Sequence, residues 1–411
     1  MEKLSLTPTK WAVLLLIPIV FWGFYWYVGF NQTVVKYLLF FLAVTLLLLN
    51  LKRLNVSLSK KNSYDKYVSI ISCLIILSFF ITYIYWGQNP ILTYRAAASQ
   101  FLVLYYFILK EYKVSYDELF RLVTIFAVIH IVLWMIALAA APIVLFGNEE
   151  EISDSRGFYR IVHLKGLDTL CLFYFMVLCQ KAERQWKKVL LIACAFICFV
   201  LVFLSLSRTL IASISIVTIL YLLKKNKKAL IVFVVVLGLG GYSTIKNNEI
   251  VSSLELMTLN QIKEKNEADL RMVEYTQFTK LYPFHILTSI FGNGEPHIAS
   301  SYGIREEQLK DSIGFNRSDA GYIHIYVSYG LVMLLVFLLL LIKVVKQKVD
   351  EKYIAFKLFI YMLFLANIFS SLMFSYATAF MISLYALESE RISSLENNFL
   401  RKKLDNLGGG E

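Results

Sequence analysis

Arg208 interrupts an apolar run, Phe199-Val-Leu-Val-Phe-Leu-Ser-Leu-Ser-Arg208-Thr-Leu-Ile-Ala-Ser-Ile. A charge at or near membrane depth costs roughly 2.5 to 3.5 kcal/mol on insertion scales, so this residue requires a partner or a task. An anionic ligand supplies both. Arg156 and Arg160 lie in one polar stretch of the chain, and Arg271, Arg305 and Arg317 in another. A guanidinium grips phosphate through two parallel hydrogen bonds and stays charged, so such a set suits a phosphorylated substrate without a metal. The plainer reading pairs each arginine with Glu149, Glu150, Glu151, Asp154 or a lipid headgroup, and it carries more weight for Arg305 and Arg317 than for Arg208 and Arg271.

Asp319, in Arg317-Ser-Asp-Ala-Gly-Tyr322, stands just before an apolar run. A carboxylate partly desolvated at such a mouth is suited to act as a general base. It is equally placed to cap the incoming helix. His163, Lys165, His297 and His324 fall outside the spans or near their boundaries, where they can meet sugar or phosphate, and their spacing is not that of metal ligands. His130 sits inside an apolar run and reads as a packing or interhelical hydrogen-bonding residue. Tyr159, Tyr282, Tyr302 and Tyr322 suit stacking on sugar rings, or an interfacial belt. The chain has no Gly-rich Lys-Ser/Thr phosphate loop, no His-Glu-x-x-His, no paired-cysteine pattern and no nucleophile elbow, which argues against an ATP-driven pump or a zinc protease.

The elements that must position these residues are membrane helices. With 411 residues, 58% of them hydrophobic and only 17% charged, the chain reads as an all-α polytopic integral membrane protein. About twelve spans are expected by length, starting near Trp11, Val34, Tyr67, Ala96, Leu122, Thr169, Val189, Thr209, Ala229, Tyr322, Tyr353 and Ser371. The first, residues 11–30, is too long and aromatic for a cleaved signal and reads as an anchor. Basic clusters at Lys52, Arg53, Lys60 and Lys61, at Lys181, Arg184, Lys187 and Lys188, and at Lys224, Lys225, Lys227 and Lys228 share one side. The positive-inside rule makes that side cytoplasmic, with both termini. The net charge of +12 is then mostly a topology signal with some pull on anionic lipid, and nucleic acid is not implied. Cys73, Cys171, Cys179, Cys194 and Cys198 all fall in apolar spans, which is no pattern for a disulfide framework.

On this division residues 1–245 carry nine spans with an external loop at 147–168, residues 246–321 form a large external loop, 322–388 carry three more spans, and 389–411 a cytoplasmic tail. The large loop is too long for a passive connection. Met272, Tyr275, Phe278, Leu281 and Tyr282 recur at helical steps within a pattern over 267–290 that Pro283 interrupts, and Gly292-Asn-Gly294 ends it with turn chemistry. The closing Leu407-Gly-Gly-Gly-Glu411 reads as a flexible tail.

Taken in order, these residues resemble the O-antigen polymerase and ligase superfamily. The likeness lies in the apolar span through Leu204-Ser-Leu-Ser-Arg208-Thr, in Asp269-Leu-Arg271-Met running to Phe291-Gly-Asn-Gly294, and in Asp319 standing eleven residues before the glycine of Tyr329-Gly330-Leu331. A fourth is Arg156-Gly-Phe-Tyr-Arg160 to Gly166. The resemblance covers roughly residues 150–345. Ligases carry a His-Asn pair where this chain has Asp319-Ala320, so the aspartate looks more like the polymerase branch. The resemblance implies a GT-C-like glycosyltransferase in the bacterial inner membrane, working at the periplasmic face on undecaprenyl-pyrophosphate-linked oligosaccharides, with no cofactor or metal and with a chain-length regulator as a possible partner. It implies Arg208, Arg271 and Asp319 as the catalytic set, with Arg156, Arg160, His163, Lys165, Tyr322 and His324 as substrate contacts. Ligation to lipid A core, or transport of the lipid-linked sugar without bond breaking, are the alternatives. Polar groups gathered at span mouths rather than spread along them favour an enzyme.

Overall fold

A computed structural model describes residues 7–21, parts of 34–50, 63–140, 143–146, 152–153, 160–161, 166–204, 207–225, 227, 231, 285–313 and 320–408. Apart from one antiparallel pair of two-residue strands, β1 (Ile152–Ser153) and β2 (Arg160–Ile161), the regular structure there is helical. The first helix is α1 (Pro8–Phe21). After a helical stretch within residues 41–50 comes α2 (Tyr64–Trp86), whose ends are marked. The Ser63 side chain accepts from the Asp65 amide at its start, and Gly87 closes it in the left-handed conformation with its N–H on the Tyr83 carbonyl. At about 1.5 Å per residue such a helix covers a hydrocarbon core of about 30 Å.

Pro90 at the first position and the Asn89 cap start α3 (Pro90–Ala97), which runs through a 3-10 turn (Ala98–Leu104) into α4 (Tyr105–Glu111). Then follow α5 (Tyr116–Ala140), α6 (Leu167–Lys181), α7 (Gln185–Leu204) and α8 (Arg208–Lys225). Beyond the large loop come α9 (Ile286–Phe291), α10 (Ser301–Ile313), α11 (Tyr322–Lys346), a 3-10 turn (Glu351–Tyr353), α12 (Ile354–Ala366), α13 (Leu372–Ser375) and α14 (Ala377–Gly408).

Among the described residues five helices are long and apolar enough to cross a membrane: Tyr64–Trp86, Pro90–Glu111, Tyr116–Ala137, Gln185–Val202 and Tyr322–Lys346. The all-helical, polytopic reading holds, while these five fall short of the expected count of about twelve. Two of the expected spans are shorter than a bilayer requires, because α6 has 15 residues and α12 has 13. The expected span near Ala229 and part of the one near Val34 lie outside the described residues. The last expected span divides into α13 and α14, and α14 runs without a break past residue 388, where the sequence suggested a tail.

The core lies around α12 and the first half of α14. Phe356, Phe359, Ile360, Met362 and Leu363 of α12 are sealed against Ala379, Ile382, Leu384 and Ala386 of α14. Small residues on α14 let the helices approach closely, as in membrane bundles. Other helices turn apolar faces outward: Phe80, Tyr83 and Ile84 on α2, Trp186, Val189, Leu190 and Phe196 on α7, and Leu331, Leu335, Leu338 and Leu339 on α11 are all exposed. Faces of this extent belong in lipid. The protein is a multi-pass membrane protein.

The two ends of α2 are built differently. At the Tyr64 end, Glu388 of α14 is buried and accepts from Ser63 Oγ at 3.0 Å, from the Tyr64 amide at 3.2 Å, and from Arg391 Nη2 at 2.6 Å and Nε at 2.9 Å. Asp65 is also sealed, taking Lys110 Nζ on one oxygen and Tyr106 Oη at 2.7 Å on the other. Lys181, Lys225 and Glu351 form an exposed ion cluster among helix ends that lie with it. The Trp86 end carries the candidate site.

Candidate functional site

Gly292-Asn293-Gly294 turns back from α9 and lies against α11 where that helix is broken. Gly330 sits inside α11 with φ 78° and ψ −179°, so the helix has two halves. The turn meets the break backbone to backbone: the Asn293 amide donates to the Val327 carbonyl at 2.7 Å and the Gly294 amide to the Ser328 carbonyl at 2.9 Å. The Asn293 side chain adds a bond to Val327 O at 3.2 Å. Only glycine permits this approach. A Cβ on Gly330 would stand 2.2 Å from the Ile290 carbonyl oxygen, and one on Gly292 2.3 Å from the Ser328 carbonyl. Both also have positive φ, a region costly for any side chain. The sequence marked the turn; the break in α11 it did not mark, although a glycine within an apolar helix is its signal.

The last turn of α2 holds the other side. Thr82 Oγ1 donates to the Asn293 carbonyl at 2.8 Å and Trp86 Nε1 to Asn293 Oδ1 at 3.1 Å. Trp86 stacks on buried Tyr302 of α10, ring centroids 4.1 Å apart, and the Arg305 guanidinium lies 5.6 Å from the indole. Gln88 bridges three positions of the loop: its Nε2 donates to Glu295 O at 2.9 Å, and its Oε1 accepts from the His297 amide at 2.9 Å and Ser300 Oγ at 2.6 Å.

Glu295 is thereby fixed, and its carboxylate faces inward. Oε1 lies 3.2 Å from His324 Nε2 and accepts from Gln100 Nε2 at 3.1 Å. His324, in the first turn of α11, meets Ser371 Oγ with its other nitrogen at 2.8 Å. A hydroxyl, an imidazole and a carboxylate are thus in line, drawn from the α12–α13 connection, α11 and the end of the large loop. The Glu295 and His324 side chains are 12% and 17% exposed, so the chain is shielded yet reachable. Around Ser371 the amides of Leu372 and Met373 are taken by Asn367 Oδ1, at 2.9 and 3.1 Å.

A second histidine–carboxylate pair lies deeper. His130 Nε2 of α5 is 3.1 Å from Asp168 Oδ2 at the start of α6, with 2% and 1% exposure. The contact brings the groups side by side without the alignment of a hydrogen bond. His130 acts between helices, as its place in an apolar run suggested.

Of the sequence-derived site residues, Tyr322 and His324 are at this end of the molecule. Tyr322 Oη donates to the Phe364 carbonyl at 2.8 Å, which ties the start of α11 to α12. Arg208 opens α8 and Arg160 lies in β2, and their side chains fall outside the described residues, as do Arg156, His163, Lys165, Arg271, Arg317 and Asp319. Gly321 holds the N-cap position of α11. Sequence reasoning did not single out Glu295, Gln88, Gln100 or Ser371. The only signal for Glu295 was its place directly after the glycine turn.

Residues 193–338 match the Wzy_C family model, described as O-antigen ligase. That stretch begins within α7 and ends within α11, so it holds Arg208, Arg271, Asp319, Tyr322, His324 and the glycine turn, and leaves out the 156–165 cluster. Enzymes of that family transfer glycans, as polymerases or as ligases, from lipid-linked oligosaccharides. No curated protein matches this chain.

Proposed function

We propose that this protein is a membrane glycosyltransferase that polymerises polyprenyl-pyrophosphate-linked oligosaccharide repeat units, with the glycine-turn end facing the periplasm of the bacterial inner membrane. The observation that carries the reading is the family match over residues 193–338, which contains both sides of the contact between the Gly292–Gly294 turn and the broken α11. The aspartate at position 319 supports polymerase over ligase. Lysines at the ends of α4 (Lys110), α6 (Lys181), α8 (Lys224 and Lys225) and α11 (Lys343 and Lys346) lie opposite the turn and support the orientation.

Arg208 and Arg271 bind the pyrophosphate, with Arg156, Arg160, His163 and Lys165 as further contacts, and Tyr322 and His324 contact sugar. As the glycosidic C–O bond breaks, negative charge gathers on the leaving pyrophosphate, and fixed guanidinium groups in a low-dielectric mouth stabilise it. Asp319 polarises the acceptor hydroxyl, which displaces the carrier with inversion. The donor already stores the energy, so no nucleotide is consumed.

The test is incubation of the purified, reconstituted protein with a lipid-linked repeat unit, without nucleotide or metal. A ladder of product lengths that is lost in Arg271→Ala supports the reading. A single transfer to a lipid A core acceptor, with no ladder, replaces polymerase by ligase. Unchanged substrate with either acceptor overturns glycosyl transfer.

A further inference from the structure

The proposed reaction releases a proton from the acceptor hydroxyl, and that proton needs a destination. An imidazole can take up a proton on one nitrogen and give it back, which suits it to be that destination. His324 is the imidazole at this mouth whose two ring nitrogens both meet side chains able to exchange or balance a proton.

We propose that Ser371, His324 and Glu295 form a proton relay that takes up the acceptor hydroxyl's proton during glycosyl transfer. The carboxylate at Nε2 fixes the N–H there, so Nδ1 keeps its lone pair and accepts the Ser371 hydroxyl hydrogen at 2.8 Å. The acceptor hydroxyl rests on Ser371 Oγ. As its oxygen forms the new bond to the anomeric carbon, its proton passes to Ser371 Oγ while the Ser371 proton moves to Nδ1. The bond from the anomeric carbon to the phosphate oxygen breaks, and the electron pair leaves with the pyrophosphate. The imidazolium is balanced by Glu295, then returns the proton to water through its exposed edge. The relay rests on the glycosyl-transfer reading; it takes the proton, which the sequence gives to Asp319 as base, through His324, a substrate contact in that reading, and through Ser371 and Glu295, which that reading does not use.

Three features favour a relay over the other roles open to this trio. The amides beside Ser371 are consumed by Asn367, which leaves no donor pair there for the oxyanion of an acyl transfer. Gln100 and Gln88 pin Glu295 from two directions, so the carboxylate waits in place for an imidazolium. Finally, the Gln100 side chain is 93% buried, and among the described residues its Oε1 has no hydrogen-bond partner. A sugar hydroxyl entering beside Glu295 gives that oxygen a donor.

The experiment measures glycan transfer by the full-length protein, reconstituted with a lipid-linked repeat unit, for the wild type, His324→Ala and Glu295→Gln. The expected result is a kcat lower by about 10² to 10³ in His324→Ala, with KM for the lipid-linked substrate changed less than about twofold. Free imidazole, which can enter the vacated and partly open site, restores about tenfold of that loss. Glu295→Gln, which keeps shape and hydrogen bonding but not charge, lowers kcat about tenfold at unchanged thermal midpoint. A wild-type kcat in His324→Ala overturns the relay. So does lost activity that comes with a lowered thermal midpoint and no response to imidazole, the signature of a purely structural contact. If the wild type itself transfers nothing, the glycosyl-transfer reading falls first, a result distinct from either of these.

Discussion

The two ends of α2 solve the problem of polar groups beside a membrane in opposite ways. At the Tyr64 end, charge meets charge: Glu388 with Arg391, and Asp65 with Lys110. At the Trp86 end, neutral amides, a hydroxyl and glycine backbone do most of the joining, and His324 meets Glu295 in a largely buried contact while Lys310 and Glu307 pair on the exposed face of α10. Closed ion pairs hold helices together but have no valence left for a substrate. An end knitted by neutral groups can keep charge for the ligand, and its largely buried histidine–carboxylate contact then stands out as chemistry. The difference teaches that ionic density alone is a poor guide to the working face.

The comparison breaks most sharply at its charged end. Glu388→Ala leaves the Ser63 hydroxyl, the Tyr64 amide and the Arg391 guanidinium without their acceptor in a buried place. Removing one partner of such a pair costs about 3 to 5 kcal/mol. The expected outcome is a large fall in thermal midpoint in detergent, with transfer activity per folded molecule preserved. If activity per folded molecule falls as steeply, the two ends do not divide labour as described.

Gly330→Ala is the counterpart at the other end. Strain at positive φ together with the clash on Ile290 O predicts a loss of about 2 to 4 kcal/mol, and here activity falls further than stability because the turn is pushed off α11. Comparing transfer rate with thermal midpoint in the same preparation checks this. A smaller effect is expected of Trp86→Phe, which keeps the stack on Tyr302 but removes the bond to Asn293 Oδ1, worth about 1 kcal/mol. Limited proteolysis of the loop should quicken modestly in that variant.

The smallest effect concerns pH at the charged end. The hydrogen bond from Lys225, then its charge and that of Lys181, holds the Glu351 carboxyl below its ordinary value. A carboxyl lowered by folding adds stability above its unfolded pKa, about 4.3, and the gain is lost as pH falls through the lowered value. Glu351 is fully exposed, so solvent screens most of this. Glu351→Gln should therefore leave the thermal midpoint at pH 7 almost unchanged and slightly flatten its decline below pH 4, read by a melting series across pH.

Much of this arrangement was legible in order and little of it in three dimensions. Helical periodicity and apolar run length located α2, α5, α7 and α11, because a bilayer imposes one length on every span. Gly292-Asn-Gly294 was readable as a turn since its backbone chemistry is local. His324 was readable as a candidate from its place near a span mouth. Its partners were not: Glu295 is 29 residues away and Ser371 47, and no periodicity links positions brought together by the tertiary fold. The same limit applies to Asp168, whose match with His130 appears only once α5 and α6 are side by side. The composite path of α3, a 3-10 turn and α4 was hidden for a different reason, since a 3-10 turn and an α-helix of the same composition bury similar faces.

The break at Gly330 also bears on how the protein is made. The carbonyls of Val327 and Ser328 accept from Asn293 and Gly294, groups supplied by a segment some thirty residues earlier in the chain. Within hydrocarbon an unmet carbonyl costs several kcal/mol. The break in α11 is therefore completed only when the turn clasps it. A chain whose turn has not yet docked lacks these two bonds in its tenth expected span, so docking of the turn and completion of that helix are one event.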